Sequence, residues 1–467
     1  VLVMAEDNTV NDSMSNREAD VIVLGMGPGG ESVAGTLAEA GLDVVGIDER
    51  LVGGECPYYG CIPSKMLIRA ANALSEARRV NDLAGSSSVE PDLGPVALRI
   101  REEATDYWDD RVAVERFESK GGRFIRGTGT LVGKDAVQVG GVPLTARKGI
   151  VIATGTAPAV PPIPGLAETP FWTNRDIFAV EEPPRSLAIL GGGAIGVELA
   201  QAFARFRSEV TVIEAADRIL AADEPEAARI VAEALERDGV TIHAGAPAEQ
   251  VSHDGSVFTI RLPDRVVTAE RLLVSAGRTT RLDELGAACI GVDPQSRFLP
   301  TDGTLRVTEG VWALGDVTGK GAFTHMSMYQ AGIVVQDILG QEPRAAEYHA
   351  VPRVTFTDPE SGAVGLTEQQ AREQGLRVRV GVARVPSTAR GWIHKSGNEG
   401  VIKLIEDADA GVLVGATSVG PHGGEVLGAL SVAVHARVPV AALRGMIWAY
   451  PTFHRGIEDA LRHLRDE

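Results

Sequence analysis

Short apolar runs that end in glycine and lead into helix-period stretches set the pattern of this chain. Val21-Ile22-Val23-Leu24 reads as a buried parallel strand and runs into Gly25-Met26-Gly27-Pro28-Gly29-Gly30. A helical stretch follows, then a second strand, Asp43-Val44-Val45-Gly46-Ile47-Asp48. The design recurs as Leu187-Ala188-Ile189-Leu190, Gly191-Gly192-Gly193-Ala194-Ile195-Gly196, a helix, and Val210-Thr211-Val212-Ile213-Glu214. In both copies the closing acid stands 18 positions after the last glycine, which makes the pair an internal repeat. Gly25 permits the tight turn, Gly27 lets the backbone approach a pyrophosphate, and Gly30 allows close packing of helix on strand; Gly191, Gly193 and Gly196 repeat those roles. Each helix N-terminus then offers unpaired N–H groups to phosphate, and Asp48 and Glu214 are placed to bond a ribose hydroxyl. Two dinucleotides in one chain are expected. Glu214 favours NADH, because a carboxylate repels a 2′-phosphate; nearby Arg218 could soften that preference and leaves NADPH possible.

Between the repeats lies Gly53-Gly54-Glu55-Cys56-Pro57-Tyr58-Tyr59-Gly60-Cys61-Ile62-Pro63-Ser64-Lys65. A helix is expected from Pro63 to Arg79, with Met66, Leu67, Ala70 and Leu74 at compatible spacing. Cys61 then adjoins a helix N-terminus, where the dipole and Lys65 would lower a thiol pKa. Cys56, in a loop bounded by Gly and Pro, is expected to be the more exposed thiol. Cys289 has no such context and is expected to be a small buried hydrophobe.

Composition narrows the class. A chain of 467 residues suggests roughly three domains, and 44% hydrophobic with 23% charged residues is ordinary for globular proteins. Three cysteines cannot staple a secreted scaffold of this size, so a reducing compartment is expected. The net charge of −18 argues against nucleic acid as a partner. Residues 1–18 read as a polar extension without signal-peptide pattern, and no apolar run reaches the length of a membrane span. The expectation is a soluble, cytoplasmic protein with no resident metal.

These residues resemble the flavoprotein disulfide reductases, the pyridine nucleotide-disulfide oxidoreductase group that includes lipoamide dehydrogenase, glutathione reductase and mercuric reductase. The likeness runs from about residue 19 to the end, and GGECPYYGCIPSK matches the family's redox-active segment. The resemblance implies an α/β fold: two Rossmann-like dinucleotide-binding domains, for FAD and NAD(P), and a C-terminal α+β dimerisation domain. It places FAD-binding parts at 19–156 and 284–347, the NAD(P)H domain at 157–283, and the dimerisation domain of a homodimer at 348–467. Gly54, the crossover residues Thr154 and Gly155, and Asp316 of Trp312-Ala313-Leu314-Gly315-Asp316 would contact FAD, and Gly277 of a second crossover would contact NAD. Electrons would pass from NADH to FAD, then to Cys61 as the flavin-facing thiolate and Cys56 as the interchange thiol, and on to a small-molecule acceptor. Lys65 and Glu198 would pair beside the flavin.

The resemblance fails at one place. Family members carry His-Pro-Thr near the C-terminus and a Glu five residues after that His, the acid/base pair for thiol exchange across the dimer. Here the run is Trp448-Ala449-Tyr450-Pro451-Thr452-Phe453-His454-Arg455-Gly456-Ile457-Glu458, so Tyr450 replaces the His and Arg455 the Glu. A helix starting after Pro451 would bring His454 and Glu458 onto one face as a displaced dyad. The alternative is a buried stripe of Phe453, Ile457, Leu461 and Leu464 opposite a solvated polar face. Tyr450 is either a hydrogen-bond donor to a thiolate or an interface aromatic beside Trp448. A small disulfide or related sulfur compound is the expected acceptor, and a quinone, an oxidant or a metal ion is the alternative.

Overall fold

Residues 17–465 are described by the structure, a computed structural model. Residues 1–16 of the expected extension lie outside the described residues. Its last position does not extend the tail: Glu18 opens the first strand, in register with Thr145, and its carbonyl accepts from Arg123 Nη2 at 2.7 Å.

The chain divides into two compact units. One comprises the described chain up to Pro63 with Arg101–Ala157 and Arg278–Glu347; the other comprises Ser64–Ile100, Pro158–Gly277 and the described chain from Tyr348 onward.

In the first unit, Glu18–Leu24 pairs in parallel with Val44–Asp48 on one side and Val142–Ile152 on the other. Arg123–Arg126 and Val311–Ala313 extend the sheet by further parallel pairings. Val21, Ile22, Val23, Ile150, Val151 and Ile152 are fully buried, which is why these strands read as continuous apolar runs rather than alternating ones. The Pro28–Glu39 helix follows the first strand at once, with Pro28 in its first turn, where a missing N–H costs nothing.

The second unit repeats the parallel theme with Ser186–Leu190 between Glu209–Ile213 and Arg271–Val274, and the helix Ala194–Arg205 follows the central strand. It also holds an antiparallel five-stranded sheet formed by Pro352–Thr355, Glu360–Gly365, Val412–Gly420, Val401–Asp407 and Val378–Arg384, in that spatial order. The helix Gly423–His435 lays Val426, Leu427, Leu430 and Val434 into that sheet's core. Among the described residues, no helix is long and apolar enough to cross a membrane.

Candidate functional site

The two glycine turns have nearly the same geometry. Gly25 (φ +90°) and Gly191 (φ +109°) turn the chain through a region that L side chains avoid. A Cβ on Gly30 would lie 1.9 Å from the Gly25 carbonyl oxygen, and one on Gly196 would lie 2.0 Å from that of Gly191. The middle glycines face open space. A Cβ on Gly193 meets nothing within 4 Å, and one on Gly27 meets only Gly54 Cα at 3.9 Å. Each turn thus has one edge packed by its own backbone and one edge a ligand backbone can approach, the arrangement that a pyrophosphate needs.

Both closing acids are fixed by backbone N–H groups. Asp48 accepts from Met26 (2.7 Å) and Arg50 (2.8 Å), and Glu214 accepts from Gly192 (2.6 Å) and Ala216 (2.7 Å). Burial raises the Asp48 pKa above the usual carboxylate range against the pull of its two N–H donors. Arg218 is turned to its own loop: Nη2 donates to the carbonyls of Ala221 (2.9 Å) and Asp223 (3.3 Å).

The cysteine segment is docked on the first turn. Gly53 N–H donates to Met26 O at 2.7 Å, and a Cβ on Gly54 (φ +69°) would lie 2.7 Å from Gly27 Cα. Cys56 does not lie in a loop as expected. It sits in a short helix, Glu55–Tyr59, and the long helix begins at Cys61 itself and runs to Leu83, two residues before the expected start at Pro63. The order of exposure is also reversed: Cys61 is exposed on the opening turn, whereas Cys56 is half-buried within its own helix. Cys61 Sγ lies 3.5 Å from Thr324 Oγ1.

Beside this segment, Arg278 donates to Glu55 Oε2 (2.8 Å) and to Thr156 Oγ1 (2.6 Å), and the Thr156 hydroxyl donates to Asp316 Oδ2 (2.9 Å). One guanidinium therefore ties the cysteine helix to Asp316. Gly155 precedes this cluster at φ +63°, and Thr154 is exposed. Gly277, at φ +113°, is exposed and its carbonyl accepts from Ala159 N–H at 3.0 Å.

In the second unit, Lys65 Nζ and Glu198 Oε2 pair at 2.9 Å. What holds them comes from a distant part of the chain. The Phe356 N–H donates to Glu198 Oε1 at 2.8 Å, and Lys65 Nζ stands 4.5 Å from the centroid of the Phe356 ring. Glu198, Gln201 and Arg205 form a buried polar stripe on the Ala194–Arg205 helix, with the periodicity of one helical face. Arg205, 2% exposed, bonds Asp238 (2.9 Å), Asn72 (2.6 Å) and Asp358 (2.9 Å). Arg79 shares Asp358 at 2.7 Å, so Lys65, Asn72 and Arg79, spaced by sevens on one helix, face the same stripe. The spacing is visible in the sequence; the partners, more than 130 positions away, are not.

The C-terminal segment does not form the displaced dyad within the chain. Its helix starts at Gly456, so His454 lies outside it and cannot share a helical face with Glu458. Glu458 is taken by Arg455 (3.0 Å) and by Arg462. The His454 ring lies 6.1 Å from that of Trp448. Ile457, Leu461 and Leu464 are buried and Phe453 half-buried, the stripe of the alternative reading. Tyr450 is 69% exposed with the Arg455 guanidinium 5.2 Å over its ring, whereas Trp448 is buried.

Cys289 is exposed rather than buried. In the 3-10 turn Ala287–Ile290, Ala287 and Ile290 point inward three residues apart, which leaves Cys289 outside. Among the described residues no group of three or more His, Cys, Asp or Glu side chains is arranged to hold a metal ion.

Comparison with known proteins agrees with this geometry. Residues 19–331 match the family model described as pyridine nucleotide-disulphide oxidoreductase, and residues 351–461 match the dimerisation domain of that family. The chain is 31% identical over 463 residues to a mercuric reductase of Bacillus cereus, covering 97% of this chain and 73% of that protein. It is 32% identical over 461 residues to a dihydrolipoyl dehydrogenase of Chlorobaculum tepidum, covering 94% and 96%. Among solved structures, the Cu(II) complex of the HOCl-induced flavoprotein disulfide reductase RclA from Escherichia coli superposes with a TM-score of 0.84 at 28% identity, covering 95% of this chain and 99% of that one.

Proposed function

The chain belongs to the pyridine nucleotide-disulphide oxidoreductases, a family that binds FAD and NAD(P)H, and from that premise we propose an NADH-dependent flavoenzyme that reduces a small disulfide or related sulfur substrate through Cys56 and Cys61. The observation that carries the reading is the cysteine segment: two thiols on adjoining helices, docked on the first glycine turn, with Cys61 opening a long helix. Bound at the first and second glycine turns respectively, FAD and NADH would supply the redox chemistry, NADH as source of the electron pair and FAD as its relay. On this reading FAD is held by residues 19–156 and 284–347, with Gly25, Gly27, Gly30, Asp48, Gly54, Thr154, Gly155 and Asp316 as its contacts. NADH is held by 157–283, and residues 348–467 make the homodimer.

The exchange chemistry then belongs to the chain's own residues. The Cys56 thiolate attacks one sulfur of the substrate disulfide, forms a mixed disulfide and expels the first thiolate. The Cys61 thiolate attacks Cys56 Sγ, closes the Cys56–Cys61 disulfide and expels the second, and both leaving thiolates take up protons. Tyr450, an exposed phenol at the position of the family's His, is the donor the chain offers for one of them. The Lys65–Glu198 pair keeps a fixed cation available for developing negative charge. Preference for NADH is supported by Glu214, locked by two N–H donors, and by Arg218, committed to its own loop. Equal or better kcat/KM with NADPH would contradict that part.

A second reading, in which the acceptor is a quinone, an oxidant or a soft metal ion, is supported by Tyr450 and Arg455 at the positions of the family's His and Glu, and by Glu458 being held by two arginines. A turnover screen of wild type and Cys56→Ser with low-molecular-weight disulfides, quinones and metal ions separates the two. Disulfide turnover that disappears in Cys56→Ser supports the relay, and quinone turnover that survives it, with no disulfide turnover in wild type, supports direct transfer.

A further inference from the structure

The segment leading to Asp110 has an unusual backbone. After the π-helical turn Ile100–Ala104, three successive non-glycine residues, Asp106, Tyr107 and Trp108, have φ of 46°, 58° and 57°. L residues avoid this region, and a run of three is held only where its surroundings over-determine it. Here the turn closes on itself through Asp109 N–H to Asp106 O at 3.0 Å, and Tyr107 Oη donates to Glu102 Oε1 at 2.9 Å.

The turn brings two side chains against the two ends of the cysteine segment. Asp110, buried, accepts from Val52 N–H at 2.6 Å, just before Gly53. Trp108 Nε1 donates to the carbonyl of Tyr58 at 3.3 Å, in the last turn of the helix that carries Cys56. A helix of five residues has almost no internal hydrogen bonding and leaves its last carbonyls without helical partners, so it depends on outside donors for its place. Tyr58 is itself buried, which pushes its phenol up to about 12, with the Asp110 and Glu31 carboxylates adding to the effect.

We propose that Trp108 is a positioning residue for the cysteine pair: its indole N–H, aimed by the left-handed turn, fixes the Glu55–Tyr59 helix and thereby the place of Cys56 Sγ relative to Cys61. The proposal rests on the reading of Cys56 and Cys61 as the redox pair. Its consequence concerns disulfide closure, in which the two thiols lose two electrons and two protons to an external disulfide such as oxidised dithiothreitol. A helix held in place raises the effective concentration of one sulfur at the other and so favours the closed form.

The test is a redox titration of the holoenzyme against reduced and oxidised dithiothreitol, with free thiols counted by alkylation and mass spectrometry. Trp108→Phe keeps the ring and removes the N–H. Its equilibrium should move about tenfold toward the dithiol, a rise in potential of about 30 mV for a two-electron couple. Trp108→His, which restores a ring N–H in a residue tolerant of the left-handed region, should recover most of the shift. An equilibrium within twofold of wild type in the Phe variant, with its melting temperature lowered, overturns the proposal and leaves Trp108 a structural residue. Should both variants fail to fold, hydrogen exchange of the wild-type holoenzyme decides. Peptides covering 55–60 and 105–110 should change protection together when the pair is reduced, and a change in the first alone overturns the proposal. A wild-type titration with no disulfide–dithiol step at all would instead sink the redox reading of the pair.

Discussion

The segment around Cys56 and the segment around Tyr450 are both places where exchange chemistry is expected, and they are built in opposite ways. The first is fastened by its own unit: Gly53 to Met26, Glu55 to Arg278, Val52 to Asp110 and Tyr58 to Trp108. The second spends its charged groups on itself, with Glu458 between Arg455 and Arg462, and leaves Tyr450 exposed. The cysteine segment is held by side chains and backbone of its own unit, while the Tyr450 segment presents an exposed phenol with an arginine over its ring.

Cys56→Ser should lower kcat with a disulfide acceptor on the order of 10³-fold or more while FAD stays bound, as expected for loss of a covalent nucleophile; steady-state assay with flavin absorbance checks it. Next in size is the polar stripe behind Glu198. Arg205→Met removes the partner shared by half-buried Asp238 and Asp358, which keep Gln201 and Arg79, and should cost about 2–3 kcal/mol, read as a fall in melting temperature. Rebuilding the dyad with Tyr450→His and Arg455→Glu together should raise disulfide turnover roughly 10²-fold, the lower end of what a positioned acid/base contributes. Glu214→Ala should narrow the NADH over NADPH preference about tenfold, the equivalent of one well-placed hydrogen bond to a ribose hydroxyl. The smallest effect is expected from His454→Ala. Because His454 stands outside the helix and Glu458 is already paired, disulfide kcat should stay within about twofold of wild type.

Local chemistry made much of this molecule legible in advance. The glycine turns and buried strands depend on residues within a few positions of each other, and the strands and helices form there as the pattern predicts. Helix boundaries near the cysteines were less legible. Pro63 is a good first-turn residue, yet the helix takes in Cys61, and Cys56 is drawn into a helix of its own by the left-handed Gly54 that precedes it. Cys289 was misplaced because its neighbours are apolar, while a three-residue turn decides which of them face inward. The donors that fix Glu198 and the Cys56 helix, Phe356 N–H and Trp108 Nε1, lie 158 and 50 positions from their acceptors, and no short-range pattern encodes them. Tyr450 and Arg455 mark the departure from the family's motif in the sequence, but whether His454 and Glu458 share a helical face turns on a helix start that lies at Gly456.

That electrons leave through Cys56 and Cys61 is tested by anaerobic titration of the oxidised holoenzyme with NADH. Wild type should take up a second equivalent per subunit beyond the one needed by FAD, with new alkylatable thiols, and Cys56→Ser should stop after the first. Uptake that ends at the first equivalent in both proteins, with no new thiols, would contradict it.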